Sequence, residues 1–304
     1  MTHSSERYDY SPIHERPAGT WPGGKKLAVY LCLGVEEYRF GDGHTEDILA
    51  DVPAPDLVNA SWRNYGNRVG AFRLLDRLGE FQIPATVLFN TDVYDSAPAV
   101  AEAARRSGAE LVAHGLSNSD SLSGMNRDEE RAYLSAVSAR IAAEEGSAPV
   151  GWSSPWLTHT ESTVDLLAET GYDYLLDLRF DDQPVWLRSR TRPVLSIPSN
   201  VEINDSSSMV GRNVAASDFA DMIVDEFDEL LSTANQPLVM NVVVHSFISG
   251  APFRLRQLSR ALAHLAGRRD EVWFTQPKQI HAFAVRHPEL FPVLSESESQ
   301  EGAA

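Results

Sequence analysis

Two segments far apart in the chain, KLAVYLCLGV (26–35) and PLVMNVVVH (237–245), are apolar at nearly every residue, with Lys26 and His245 at their ends and Asn241 as the one interior exception. A strand facing water on one side alternates apolar and polar residues, so runs rich in Val and Leu without that alternation predict strands buried on both faces. Such strands belong to a parallel sheet covered by helices or closed into a barrel. The intervening chain supplies the matching pattern. Strand-like PATVLFN, ELVAH, PVGWSS and YDYLLDL alternate with helix-like NRVGAFRLLDRLGEF (67–81), APAVAEAARRSG, DEERAYLSAVSARIAAEEG and ESTVDLLAETG. SDFADMIVDEFDELLSTA and RLRQLSRALAHLAGR read as two more helices, and EVWFT as a last short strand. This many repeats favour a closed α/β barrel, and 304 residues suffice for one.

The domain reading that follows is an N-terminal arm over 1–20, a single barrel domain over 21–290, and an acidic tail over 291–304 that contains SESESQEG and is expected to stay solvated. The net charge of −17 argues against nucleic acid or an anionic membrane as partner. No run of about 18 apolar residues is present, and the first twenty residues lack the apolar core of a signal peptide. A cytoplasmic protein is the expectation. The single cysteine, Cys32, lies inside the first strand and reads as a buried small hydrophobe.

In parallel α/β folds, functional groups gather at the carboxyl ends of the strands. Glu36 and Glu37 end the first strand, Thr91 and Asp92 follow the second, His114 ends the third, and His245 ends the late apolar strand. Adjacent carboxylates drive their pKa values apart, so one of Glu36 and Glu37 suits a general base; neighbours on a strand point to opposite faces and need not share a site. Histidine titrates near neutral pH, which suits His245 to general acid catalysis. Trp152, Ser154 and Trp156 in GWSSPW, Asp181, Asp182 and Trp186 in FDDQPVW, and Ser117, Asn118 and Ser119 are candidates for shaping or contacting a small ligand. Asn200 and Asn204 in SNVEIND join them as hydrogen-bond donors, and Arg254 as a receiver of a carboxylate. No nucleophile elbow, phosphate loop or dinucleotide fingerprint occurs.

The order of VEEY (35–38), HGLSN (114–118), GWSSPW (151–156), FDDQPVW (180–186) and VVVHSF (242–247) resembles the polysaccharide deacetylase (NodB-homology) family over roughly residues 20–290. WPGGKKLAV, the Glu-Glu pair, NYGNRVGAFRLLD and DDQPVW are most similar to its branch of cofactor-independent allantoinases. The resemblance implies a distorted (β/α) barrel, hydrolysis of a non-peptide carbon–nitrogen bond, and a homo-oligomer. Two departures bear on mechanism. The second histidine of the family's His-x-x-x-His pair is Asn118, a poor zinc ligand, so a metal held by Glu37 and His114 would be weak. The family arginine before the proline is Ser153, which leaves Glu36 to be held by another group, with Arg68 as the candidate.

The expected activity is therefore metal-free hydrolysis of a small cyclic amide, ureide or imide. Glu36 or Glu37 would activate water, groups around His114 and Asn118 would hold the carbonyl, and His245 would protonate the leaving nitrogen. The alternatives are a zinc-dependent deacetylase of N-acetyl sugars and a non-catalytic binding protein on the same fold.

Overall fold

The computed structural model describes residues 7–292 and residue 294. Nine strands form one sheet: β1 (Leu27–Val35), β2 (Ala85–Phe89), β3 (Glu110–Ala113), β4 (Gly151–Trp152), β5 (Tyr174–Leu175), β6 (Val185–Leu187), β7 (Val194–Ser196), β8 (Leu238–His245) and β9 (Val272–Phe274). Their order is β6-β7-β5-β4-β3-β2-β1-β8, with β9 also pairing β1. All the pairings are parallel except β6 with β7. The antiparallel pair departs from the all-parallel reading because β6 and β7 are joined by a short connection with no crossover helix.

The sheet curls into an open barrel. Beyond β8, bridging contacts replace a full ladder: Val243 N–H donates to Ile203 O and Val239 N–H to Asp182 O, with a single parallel bridge between Asn204 and Val243. Nine helices lie among the described residues: α1 (Leu57–Tyr65), α2 (Ala71–Glu80), α3 (Val93–Ser96), α4 (Pro98–Arg106), α5 (Arg127–Glu145), α6 (Thr163–Thr170), α7 (Ala216–Thr233), α8 (Pro252–Gly267) and α9 (Pro277–Arg286). The expected helix over 67–81 starts earlier: Asp56 caps α1, and a π-helical segment, Gly66–Gly70, carries the run into α2. Helix α5 is bounded as its sequence dictates, by an Asn126/Glu129 capping box and by Gly146 in the left-handed region at φ 77°.

Both faces of β1 are buried, and its residues divide by parity. Leu27, Val29, Leu31, Leu33 and Val35 belong to the core beneath the helices. Ala28, Tyr30 and Cys32 belong to the barrel interior with Leu88, Val112, Tyr174, Leu176 and Val243. Helix α9, which the hydrophobic pattern did not reveal, plugs the amino ends of the strands. Gln276 Nε2 donates to Ala85 O and Lys278 N–H to Glu110 Oε2, at the starts of β2 and β3. Ile280, Phe283 and Ala284 join the interior cluster there.

The described part of the N-terminal arm is bound to the barrel. Arg7 pairs with Asp165 at 2.7 Å, Arg16 with Asp181 at 2.6 Å, and Tyr8 stacks on Phe180 at 4.3 Å. At the other end the barrel extends past residue 290, since Phe291 is buried against Trp21. The remainder of the acidic segment, apart from Pro292 and Leu294, lies outside the described residues. Among the described residues no helix is long and apolar enough to cross a membrane.

Candidate active site

Parity decides which strand-end residues meet. Glu36 continues the inward register of Cys32, His114 that of Val112, and His245 that of Val243, so all three enter the carboxyl end of the barrel. There they line a cavity of about 180 Å³ with Glu46, Asn118, Ser154, Trp156, Asn200 and Asn204. Glu37 has the opposite parity. Its carboxylate accepts from Ser96 Oγ at 2.7 Å and Asn67 Nδ2 at 3.2 Å, outside the cavity. The expected pairing of Glu37 with His114 is not formed.

Glu36 is the hub. Oε1 lies 3.3 Å from His245 Nε2 and 3.6 Å from His114 Nε2. Oε2 accepts from the Tyr38 hydroxyl at 2.6 Å, and that hydroxyl accepts from Asn118 Nδ2 at 2.7 Å. Burial alone would raise the Glu36 pKa, but the positive charge of His245 and its hydrogen bond overcome it and hold the carboxyl below its ordinary range. The place of the guanidinium missing at Ser153 is thus taken by His245 and the Tyr38 hydroxyl. Arg68, expected in that role, is exposed on the π-helical segment.

His245 is oriented by a residue that sequence reasoning missed. Asp205, fully buried, accepts from His245 Nδ1 at 2.6 Å, from the His245 backbone N–H at 2.9 Å and from Ser249 Oγ at 2.5 Å. The dyad fixes Nδ1 as a donor and turns Nε2 toward Glu36. Burial would lower the His245 pKa, but the charges of Glu36 and Asp205 outweigh it and hold it well above the ordinary imidazole value. Asp205 closes the stretch SNVEIND, in which the expected ligand contacts were Asn200 and Asn204.

Gly34 makes room for this contact. A Cβ there would lie 2.7 Å from His245 Cδ2 and 3.2 Å from Glu36 Oε1. Gly66, Gly70 and Gly250 serve the same end at one remove, because side chains at any of them would strike Ser246 or Phe247, which follow His245.

His114 points Nδ1 at Ser153 O, 2.8 Å away, so Nδ1 carries the proton and Nε2 presents a lone pair in the neutral ring. Asn118 is engaged on three sides: its N–H donates to Glu37 O at 2.8 Å, its carbonyl accepts from Trp156 Nε1 at 2.7 Å, and Nδ2 is held by Tyr38. Its Oδ1 is buried with no hydrogen-bond partner among the described residues. Ser117 and Ser119 pack the same turn, Ser117 Oγ donating to Glu37 O and Ser119 Oγ accepting from Arg39 N–H. Asn204 sits at the rim, and Asn200 is held by Glu226 through Nδ2.

Several expected contacts belong to the scaffold. Trp152 is fully buried against Tyr172 and donates to Ser154 Oγ, because the parity of β4 turns it outward under the helices. Asp181 grips Arg16, and Asp182 pairs with Arg179 at 3.3 Å. Trp186 packs on His281 of the plugging helix, at the opposite end of the barrel. Arg254 lies over Phe253 and donates to Ile248 O, and it does not line the cavity.

A zinc site needs three or more protein donors converging on one point. Among the described residues no group of three His, Cys, Asp or Glu side chains is so arranged. Glu37 faces away, and Asn118, in place of a second histidine, has its Nδ2 engaged by Tyr38. The donor set does not fit a tightly held zinc ion.

The polysaccharide deacetylase family model matches residues 64–175, a span that holds His114, Asn118 and Ser153. A curated relative from Schizosaccharomyces pombe, named "Putative polysaccharide deacetylase", is 24% identical over 311 residues, covering 91% of this chain and 95% of its own. Among solved structures, Puue allantoinase superposes with a TM-score of 0.81 at 24% identity over 92% of this chain and 99% of its own. A probable polysaccharide deacetylase from Pseudomonas aeruginosa PAO1 superposes with a TM-score of 0.80 at 25% identity over 92% and 98%. Residues 64–175 are thus similar to the polysaccharide deacetylase family, and the whole described chain adopts the NodB-type fold of these neighbours.

Proposed function

We propose that this protein hydrolyses a carbon–nitrogen bond in a small cyclic amide, ureide or imide, without a bound metal. The observation that carries the reading is Glu36 held between two histidine Nε2 atoms in a cavity of about 180 Å³. That volume lies below the usual range for drug-sized ligands, about 300–1,000 Å³, and suits one small ring better than a polymer chain. Trp156 and Leu157 wall the cavity.

In the proposed reaction the ring carbonyl carbon lies between Glu36 and His245. Glu36 takes a proton from water as the water oxygen bonds to that carbon. The carbon–nitrogen bond then breaks, and the departing nitrogen takes the Nε2 proton of His245. The proton on Glu36 passes to His245 across their 3.3 Å contact, and the net change is addition of water with ring opening. Mutual interaction keeps the base ionised and the acid protonated over a wider pH range than two isolated groups would manage.

The carbonyl is held differently from the sequence expectation. Asn118 Nδ2 is committed to Tyr38, and His114 offers a lone pair, so neither donates to an oxyanion. Asn204 Nδ2 and the Ser154 hydroxyl are the donors proposed for that task, while His114 Nε2 accepts from the attacking water or a ring N–H. The puue allantoinase likeness supports a cyclic ureide as one substrate to try.

The test is a hydrolysis screen over hydantoins, allantoin, succinimide, glutarimide, dihydropyrimidines and N-acetylglucosamine oligomers, each with and without chelator. Ring opening that survives chelation is the expected result. Turnover confined to N-acetyl sugars, or lost to chelator and restored by zinc, overturns the proposal.

A further inference from the structure

Glu46 lies on the loop between β1 and α1, outside every motif considered in the sequence, yet its side chain is buried and lines the catalytic cavity with Glu36 and His245. Among the described residues its carboxyl has one hydrogen-bond partner, Ser206 Oγ at 2.6 Å, on the π-helical segment Ser206–Gly211 that follows Asp205. Among the described residues no Arg, Lys or His forms an ion pair with it. Arg63 contacts this residue only through the backbone, donating from Nη1 to Glu46 O at 2.9 Å while the guanidinium pairs with Asp47. Ser206 satisfies one carboxyl oxygen, and the remaining capacity of the group faces the cavity.

The charged neighbours define its state. Glu36 and Asp205 are carboxylates, His245 is the cation they share, and the Tyr38 hydroxyl adds a neutral dipole. A third carboxylate in this enclosure would meet two like charges, with a single imidazolium already engaged by both. Burial, reinforced by Glu36 and Asp205, raises the Glu46 pKa against the opposing pull of His245 and the Ser206 hydrogen bond. A neutral carboxyl is a hydrogen-bond donor, which a carboxylate cannot be. The proposed reaction needs donors to a carbonyl oxygen, and a neutral Glu46 adds one to Asn204 Nδ2 and the Ser154 hydroxyl on the cavity wall.

We propose that Glu46 binds substrate as a neutral carboxylic acid, donating its proton in a hydrogen bond to a carbonyl oxygen of the ring. This rests on the function proposed above and assigns the residue that selects for carbonyl-bearing rings. Glu46 is a substrate-binding group whose proton stays on the acid throughout, so no additional proton transfer enters the reaction.

The test combines a measurement on the free protein with one on the ligand. Infrared difference spectra between the parent and Glu46→Gln at neutral pH should show a carboxylic acid C=O band that the variant lacks. With succinimide and hydantoin as probes, Glu46→Gln, whose amide still donates, should hold KM within about threefold, and Glu46→Ala should raise it about tenfold. Activity of the parent should fall at alkaline pH as Glu46 ionises, and in Glu46→Gln the fall should move to higher pH, where loss of the His245 proton alone sets it. An ionised Glu46 in the infrared, or Glu46→Ala with the parent's KM, overturns the inference even where the probes are hydrolysed. If the parent neither binds nor hydrolyses these probes or any other ring of the screen, the function proposed above fails, and the ligand assignment of Glu46 fails with it.

Discussion

His245 Nδ1 stands 2.6 Å from Asp205 Oδ1, and the same carboxylate also receives the His245 backbone N–H, so one buried aspartate sets both the ring and the main chain of the strand-end histidine. The two residues are 40 positions apart in sequence, and their contact fixes the direction in which the histidine at the end of β8 points.

Asp205→Asn should therefore lower kcat by about a hundredfold or more while retaining the fold, because an amide can stabilise the wrong imidazole tautomer and supplies no charge to hold the imidazolium. Kinetics on a substrate from the screen, with circular dichroism as the folding control, check this. A variant with parent kcat would remove Asp205 from the mechanism.

The adjacent carboxylates should separate sharply. Glu36→Gln removes the group that both histidines face and should abolish turnover, whereas Glu37→Gln should keep activity within about threefold, since Gln can still accept from Ser96 and Asn67. Equal losses from both substitutions would show that Glu37 turns into the cavity during reaction.

Gly34→Ala should reduce kcat strongly at a modest cost in stability. The added methyl group must displace His245 or Glu36, and overpacking of this kind typically costs about 1–3 kcal/mol. Thermal melts and kinetics measured together separate the two effects.

The charged pair has a signature in the pH dependence of stability. Glu36 is depressed, so its contribution is present above the unfolded carboxylate value near 4.3 and is lost as pH falls through the lower folded value. His245 is raised, so its contribution is full below the unfolded imidazole value near 6.5 and is lost as pH rises through the higher folded value. The difference in melting temperature between the parent and His245→Gln should be greatest between those two unfolded values and shrink on either side. A difference flat with pH would mean that His245 is neutral in the fold.

The N-terminal arm should matter for stability and leave chemistry alone. Arg16 and Asp181 form a bidentate pair with side chains 7% and 13% exposed, and removing one partner strands the other. Arg16→Ala should destabilise by about 3 kcal/mol with kcat unchanged, measured by denaturant unfolding and steady-state kinetics.

Much of the architecture was legible in KLAVYLCLGV and PLVMNVVVH. Runs without alternation have to be buried on both faces, and helix-length amphipathic segments between strands have to cover them. The same parity that buries Cys32, Val112 and Val243 in the interior carries Glu36, His114 and His245 into the cavity, so the core of the site followed from strand geometry and the position of each strand's end. The orientation of Glu36 and Glu37 followed too, once Cys32 was known to face inward.

Local pattern did not carry the rest. Asp205 and Glu46 sit in irregular segments with no period to mark them, and each acquires its role from a neighbour at least ten residues away: Asp205 from His245, Glu46 from Glu36 and Ser206. Trp152, Trp186, Asp181, Asp182, Arg68 and Arg254 had the residue types of a binding site but fall on the outer layer, the plugged end, the arm or the surface. Sequence by itself determined which strand ends could bear chemistry, because side-chain alternation is a local property of the backbone. Only the tertiary structure decided which charges meet, because the pKa and direction of a buried acid depend on groups that the curl of the sheet brings together.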